Sequence, residues 1–173
     1  MMHIKTAPSL ALATVLALAA SMTEAAEPAT AATPDFYSVL TTGKAHLEFR
    51  YRLESVDQDP FSRDATASTL RSRLNYQTGE LRGFSALVEA DNVTVIGDDD
   101  AYNSTVNGVT TRPVIADPGY TEVNQAYLQY KSGSFAGLLG RQRITLDNQR
   151  FIGNVGWRQN EQTYDAVTLK SAA

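Results

Sequence analysis

The sequence predicts an all-β fold: an antiparallel up-and-down transmembrane β-barrel, partial, with about six strands present, and preceded by a signal peptide. Three observations carry that expectation. Several stretches alternate between apolar and polar residues with a period of two, the connections between them alternate between short and long, and the N-terminus has the layout of an export signal.

Residues 1–25 read as the signal peptide. Lys5 supplies a basic start, Leu10 to Ala20 an apolar run, and Thr23 and Ala25 the small residues before a cleavage point after Ala25. The apolar run is too short to cross a bilayer as a helix, and no longer one follows it. Residues 26–43, which include "EPATAATPD", read as an extended leader with nothing to bury, and residues 44–173 as the barrel segment. The chain has no Cys, so an exported fold here is held by its core, its sheet closure or its membrane. A net charge of -4 argues against a basic, polyanion-coating surface, and no nucleic-acid partner is expected.

The first strand is the clearest. "KAHLEFRYRLESV", Lys44 to Val56, places Leu47, Phe49, Tyr51 and Leu53 on one face and His46, Glu48, Arg50, Arg52 and Glu54 on the other. The second, about Thr66 to Thr78, places Leu70, Leu74 and Tyr76 opposite Arg71, Arg73, Asn75 and Gln77. A third runs from Gly83 to Val93, with Phe84, Ala86, Val88 and Ala90 opposite Ser85, Glu89 and Asp91, and with Leu87 breaking the pattern. The fourth, Thr121 to Lys131, sets Ala126, Leu128 and Tyr130 against Gln125, Tyr127 and Gln129. In the fifth, Phe135 to Ile144, Ala136, Leu138 and Gly140 stand opposite Leu139, Arg141 and Arg143; the sixth is the shorter run Tyr164 to Lys170.

The connections choose between a soluble sandwich and a membrane barrel. Strands two and three are joined around "GELR" and strands four and five by "SGS", both short enough for tight hairpins, whereas the stretches from Asp57, from Thr94 and from Thr145 are long and polar. That alternation is the one expected when every other turn faces the periplasm and the rest face outward. The apolar rows then face lipid and the charged rows a lumen, since Arg or Lys on the lipid face at the midplane costs about 2–4 kcal/mol.

No catalytic constellation stands out, and the expectation is of a protein that is not an enzyme and holds no cofactor. His46 is the only His after the signal peptide and lacks the partners that nucleophilic catalysis needs. Asp98, Asp99 and Asp100 with Asn103 lack the spacing of a Ca²⁺ loop and read as a solvated acidic tip, so no metal is expected. The candidate functional set is Arg50, Arg52, Arg71, Arg73, Arg141 and Arg143, paired at i and i+2 on three strands, with Glu89 on the same face. Such arginines either select anions, as rings of Arg do in pores, or form Arg–carboxylate ladders that stiffen the wall.

The segments "FRYRLESVDQ", "ASTLRSRLNYQTGEL", "IADPGYTEVNQAYLQY" and above all "GRQRITLDNQRFIGNVGWRQNEQTYDAV" resemble the N-terminal portion of the alginate-export-type outer-membrane porins, over about Lys44 to Leu169. The resemblance implies a large antiparallel barrel with a charged lumen, passing an anionic polysaccharide or small anionic solutes. It implies outer-membrane lipid and the outer-membrane assembly machinery as partners, and the bacterial outer membrane as location. It also puts Arg141 and Arg143 on the wall, and Asp147, Asn148, Gln149, Arg150, Trp157, Arg158 and Gln159 in a segment folding into the pore mouth. A solute-passing barrel has about 16 to 18 strands, so about six read as a truncated larger barrel. Two alternatives stay open: a small filled structural outer-membrane barrel, and a soluble periplasmic β-barrel binding module with its apolar face inward.

Overall fold

The structure, a computed structural model, describes residues 35–171. The expected signal peptide, residues 1–25, and residues 26–34 of the expected leader lie outside the described residues. Six strands form one antiparallel sheet in the order of the chain: β1 (Lys44–Val56), β2 (Ala65–Gln77), β3 (Phe84–Val95), β4 (Tyr120–Ser132), β5 (Phe135–Gln142) and β6 (Tyr164–Ser171). This is an up-and-down meander, the arc of an antiparallel transmembrane barrel, and its strand bounds fall within a residue or two of the sequence expectation. Among the described residues no helix is long and apolar enough to cross a membrane.

The leader is corrected at its end. Residues Phe36–Thr41 form a short helix, α1, rather than extended chain. Asp35 is its N-cap, accepting from the Ser38 amide at 2.7 Å, and this local bond satisfies one of the donors a helix start leaves open. Helix and sheet are tied where Tyr76 Oη donates to the Leu40 carbonyl and the Gly79 amide donates to Val39 O at 2.8 Å.

Connections alternate as the sequence predicts. Gly133 at φ 56 turns β4 into β5 in a two-residue hairpin, because a left-handed position there suits the strand twist and costs Gly little. The other end of the sheet carries the long connections 57–64, 96–119 and 143–163.

The faces are inverted relative to a soluble sandwich. Leu47, Phe49, Tyr51 and Leu53 of β1, Val88 of β3, Leu128 of β4, Leu139 of β5 and Val167 and Leu169 of β6 are all exposed. Thr69, Arg71, Arg73, Glu89, Asp91, Gln125 and Gln142 are all buried. Water would not tolerate so continuous an apolar face, and lipid demands it. At the short-turn end Phe84, Tyr130 and Phe135 are exposed on this outer face, with the Phe84 and Tyr130 rings 4.7 Å apart, where aromatic residues of a membrane barrel meet the interface. Leu87 keeps the alternation and turns inward; it is an apolar residue on the polar face rather than a break in the strand.

Near the long-loop end the inner face becomes apolar and receives a loop. Ala65 and Ala67, with Val56 and Val95, pack against Tyr102 and Ile115 of the 96–119 connection. That loop is braced within itself: Ile115 N donates to Asn103 O at 3.0 Å, and Asn107 Nδ2 donates to the carbonyls of Tyr102 and Asp99. Asp98 caps the 3-10 turn Asp99–Ala101, which is the structural use of the acidic run. Burial, then the carboxylates of Asp99 and Asp117, push the Tyr102 phenol up to about 12.

Candidate pore-lining site

Register assembles the inner wall. In the β1/β2 pairing Glu48 stands opposite Arg73 and Arg50 opposite Arg71, and in the β2/β3 pairing Arg73 stands opposite Asp91 and Asn75 opposite Glu89. Cross-strand neighbours on one face lie close enough for charged side chains to bond directly. Arg73 accordingly makes a two-pronged contact with Asp91, Nε to Oδ1 at 2.7 Å and Nη2 to Oδ2 at 2.6 Å, and Arg71 Nη2 reaches Glu48 at 2.7 Å. Arg50 facing Arg71 would by itself repel, so this row needs acceptors from elsewhere.

The 143–163 connection brings them. It lies over the inner face, and Gln159, fully buried, is its anchor. Its Oε1 accepts from Arg50 Nε at 3.0 Å, its Nε2 donates to Thr69 Oγ1 at 2.9 Å and to Arg50 O at 3.1 Å, and its amide donates to Asp117 Oδ1 at 2.8 Å. Arg50 also donates to the carbonyls of Gly156, at 3.0 Å, and Arg158, and Arg52 donates to that of Trp157. Two wall arginines thus hold three consecutive loop carbonyls. Glu161, from the same loop, lies 2.8 Å from Arg73 and 3.3 Å from Arg71 and bonds Arg143 as well. Burial opposes its charged form, but Arg143 and Arg73 outweigh that and hold its carboxyl below the ordinary carboxylate value.

Glu89 is the second carboxylate hub. A β-bulge in β4, where the register shifts between Glu89 and Ala90, lets Asn124 and Gln125 both turn inward and donate to Glu89 Oε1 at 2.9 and 3.1 Å. Arg143 joins the same oxygen. Asp117 gathers Arg158 at 3.5 Å and Arg52 at 3.6 Å, and both arginines also reach Glu54. The wall therefore holds Arg50, Arg52, Arg71, Arg73, Arg143 and Arg158 against Glu48, Glu54, Glu89, Asp91, Asp117 and Glu161, six charges of each sign.

A loop folded onto a charged inner wall, on a sheet whose outer face is apolar, is the arrangement of a membrane-barrel segment. The family model described as alginate export matches residues 44–172, three quarters of the chain. The chain belongs to the alginate export family. This is a family of outer-membrane transport porins, which agrees with the lipid-facing strands and with an outer-membrane location. No match is found among curated proteins or among solved structures.

Within this alginate-export wall the expected residues divide. Arg50, Arg52, Arg71, Arg73, Glu89 and Arg143 come together on the inner face, joined by Arg158 from the loop. Arg141 does not, and its expected place on the wall is corrected. The two-residue hairpin sets Ser132 opposite Phe135, which puts Leu128 opposite Leu139 and Ala126 opposite Arg141. Partners share a face, so Arg141 and Leu139 point outward while Ala136, Leu138, Gly140 and Gln142 point inward, the reverse of the sequence expectation. Arg141 instead makes a two-pronged contact with Asp165 of β6, at 3.0 and 3.1 Å, and donates to Val123 O. β5 ends at Gln142, and Arg143 escapes that alternation by turning inward beyond the strand.

Asp147 and Arg150 also stay out of the network. Asp147 is exposed at φ 48 early in the loop, and Arg150 stacks over Phe151, 5.6 Å from the ring centroid. The sequence reading missed Asp117 and Glu161 as wall residues. Their signal was slight: an acid in each long polar connection, where nothing local says which acids turn inward.

Proposed function

We propose that this chain supplies part of the wall and the inward loop of an outer-membrane export pore that favours anions and passes an anionic polysaccharide, alginate-like, or smaller anionic solutes. The supporting observation is layering within the neutral network. Glu89, Asp91, Asp117 and Glu161 have side chains only 1–5% exposed, whereas Arg143, Arg52 and Arg158 keep 28, 22 and 16%. Glu48 and Glu54 also reach the surface, at 40 and 20%, so the accessible layer holds Arg143, Arg52, Arg158 and the half-buried Arg50 against two carboxylates. Fixed positive charge at the accessible surface of a low-dielectric wall raises the local concentration of anions. The outer apolar face is the contact with lipid, and delivery by the outer-membrane assembly machinery follows from such a face.

Ion conductance across a planar bilayer under a salt gradient tests this. The reversal potential is expected on the anion side and is expected to move toward zero in Arg52→Gln with Arg143→Gln. A cation-side potential in the unaltered chain overturns anion preference. A second reading, a filled structural barrel, draws on the six-against-six balance and predicts insertion without current.

A further inference from the structure

The 143–163 loop presents one surface beside the charged network, which borders it through Arg52 and Arg158. Leu146 N donates to Ile152 O at 3.0 Å, Gln149 N to Leu146 O at 2.8 Å, Gln162 N to Asn154 O at 2.8 Å, and Tyr164 Oη to Gly153 O at 3.0 Å. These bonds hold the loop in a fixed curl. At its mouth is a pocket of about 300 Å³ lined by Gln149, Phe151, Gly153, Val155, Trp157 and Gln162, at the small end of the range for ligand pockets. Gly153 is required here, since a Cβ at that position would lie 2.7 Å from Gln149 Cβ.

Two aromatic side chains stay open at this pocket. Phe151 is 91% exposed and Trp157 58%, although the Trp157 backbone is clamped through its carbonyl by Arg52. Open aromatic rings offer apolar faces on which a flat partner can stack. Arginines accompany both rings: Arg158 sits 4.1 Å and Arg52 5.1 Å from the Trp157 centroid, and Arg150 5.6 Å from that of Phe151. The combination is specific in chemistry. The C–H face of a pyranose ring is apolar and stacks on aromatic faces, its hydroxyls need amide partners such as Gln149 and Gln162, and a ring carboxylate needs guanidinium.

We propose that Trp157 and Phe151, with Gln149 and Gln162, form a carbohydrate-binding step for a single uronate ring of an acidic polysaccharide. The assignment rests on the reading of this pore as a conduit for such a polymer, and adds the place where one sugar pauses. Arg50 and Arg52 acquire a second use in it: by holding the carbonyls of residues 156–158 they fix where Trp157 stands. A simple inorganic anion has no apolar face to stack on the rings, and Arg52 and Arg158 are already held by Glu54 and Asp117.

Trp157 is the sole Trp of the chain, so its fluorescence reports this site without labelling. The full chain, folded in detergent, is titrated with a hexameric oligouronate, with a neutral oligoglucose of the same length and with sulfate. A saturable change in emission is expected with the oligouronate, about tenfold weaker with the neutral sugar, and absent with sulfate. Phe151→Ala, at a position too exposed to matter for folding, is expected to weaken oligouronate binding about 3- to 10-fold. No saturable change with oligouronate, or an equal change with sulfate, overturns the sugar step. Bilayer current separates this from the wider reading: oligouronate that blocks current without moving Trp157 emission overturns the step and leaves the conduit, whereas emission that responds without any current supports the step and removes the conduit.

Discussion

Two Arg-x-Arg pairs with the same spacing meet opposite fates in this molecule. Arg71 and Arg73 in the middle of β2 both turn inward and are buried, each bound to at least two carboxylates. Arg141 and Arg143, at the end of β5, part company: one faces outward onto Asp165 and the other turns inward onto Glu89 and Glu161. Spacing alone therefore does not assign a face. Within a strand, i and i+2 share a side because the pleat demands it, but which side is fixed by the partner strand, and past the last ladder bond the rule lapses.

The comparison breaks most sharply at Arg73. Arg73→Ala removes the shared partner of Asp91 and Glu161 and leaves both acids buried beside less positive charge. Stripping one partner from a buried ion-pair cluster costs about 3–5 kcal/mol, so Arg73→Ala is expected to abolish the folded, heat-modifiable form on a gel or to move its urea midpoint far down. A gel shift and midpoint like those of the unaltered chain would mean that water replaces the guanidinium, and that the wall is wetter than its burial indicates.

Gln159→Ala is the next largest. It keeps every charge but removes the bonds by which the loop grips Arg50 and Thr69, leaving Arg50 Nε without its acceptor, a change of about 1–3 kcal/mol. The expected result is a folded barrel with a loosened loop: faster proteolysis within residues 143–163 and noisier current, with the urea midpoint lowered less than in Arg73→Ala. Equal protease resistance would show that the arginine clamps on the carbonyls of residues 156–158 suffice alone.

Acid should loosen the same loop by another route. The folded Glu161 carboxyl titrates below its ordinary value, so the stability it contributes is fully present above the unfolded carboxylate range and is lost as pH falls through the folded value. Loop proteolysis by an acid-active protease is expected to be flat from neutrality down to the ordinary carboxylate range and to rise below it. Glu161→Gln should remove that rise while raising the basal rate. A rise already at pH 6 would point to a different group.

The strands were legible because their physics is local. Lys44 to Val56 alternates so regularly that its bounds are the same in sequence and structure, and the short and long connections gave the up-and-down order. The inner wall was legible only where a strand carried it, as with Arg50, Arg52, Arg71, Arg73 and Glu89. Asp117 and Glu161 lie in connections without period, and their inward turn depends on Gln159 meeting Thr69, a contact 90 residues apart in sequence. Asn124 shows the same limit inside a strand: only the bulge opposite Glu89 turns it inward.

Arg141 gives the smallest expected effect and the finest test of the comparison. Its register with Ala126 comes from the two-residue turn at Gly133, which fixes every pair of the β4/β5 hairpin, whereas the sequence alone reads a three-residue "SGS" connection and leaves that register open. Outward, with its side chain 42% exposed and paired with the more exposed Asp165, it touches none of the wall carboxylates. Arg141→Ala is expected to leave the reversal potential unchanged, whereas Arg143→Ala, with the same loss of charge, is expected to shift it. A reversal potential that moves equally in the two variants would put Arg141 back on the lumen and make the hairpin register wrong. If only Arg143 counts, the two arginines differ solely in which side of one sheet they reach.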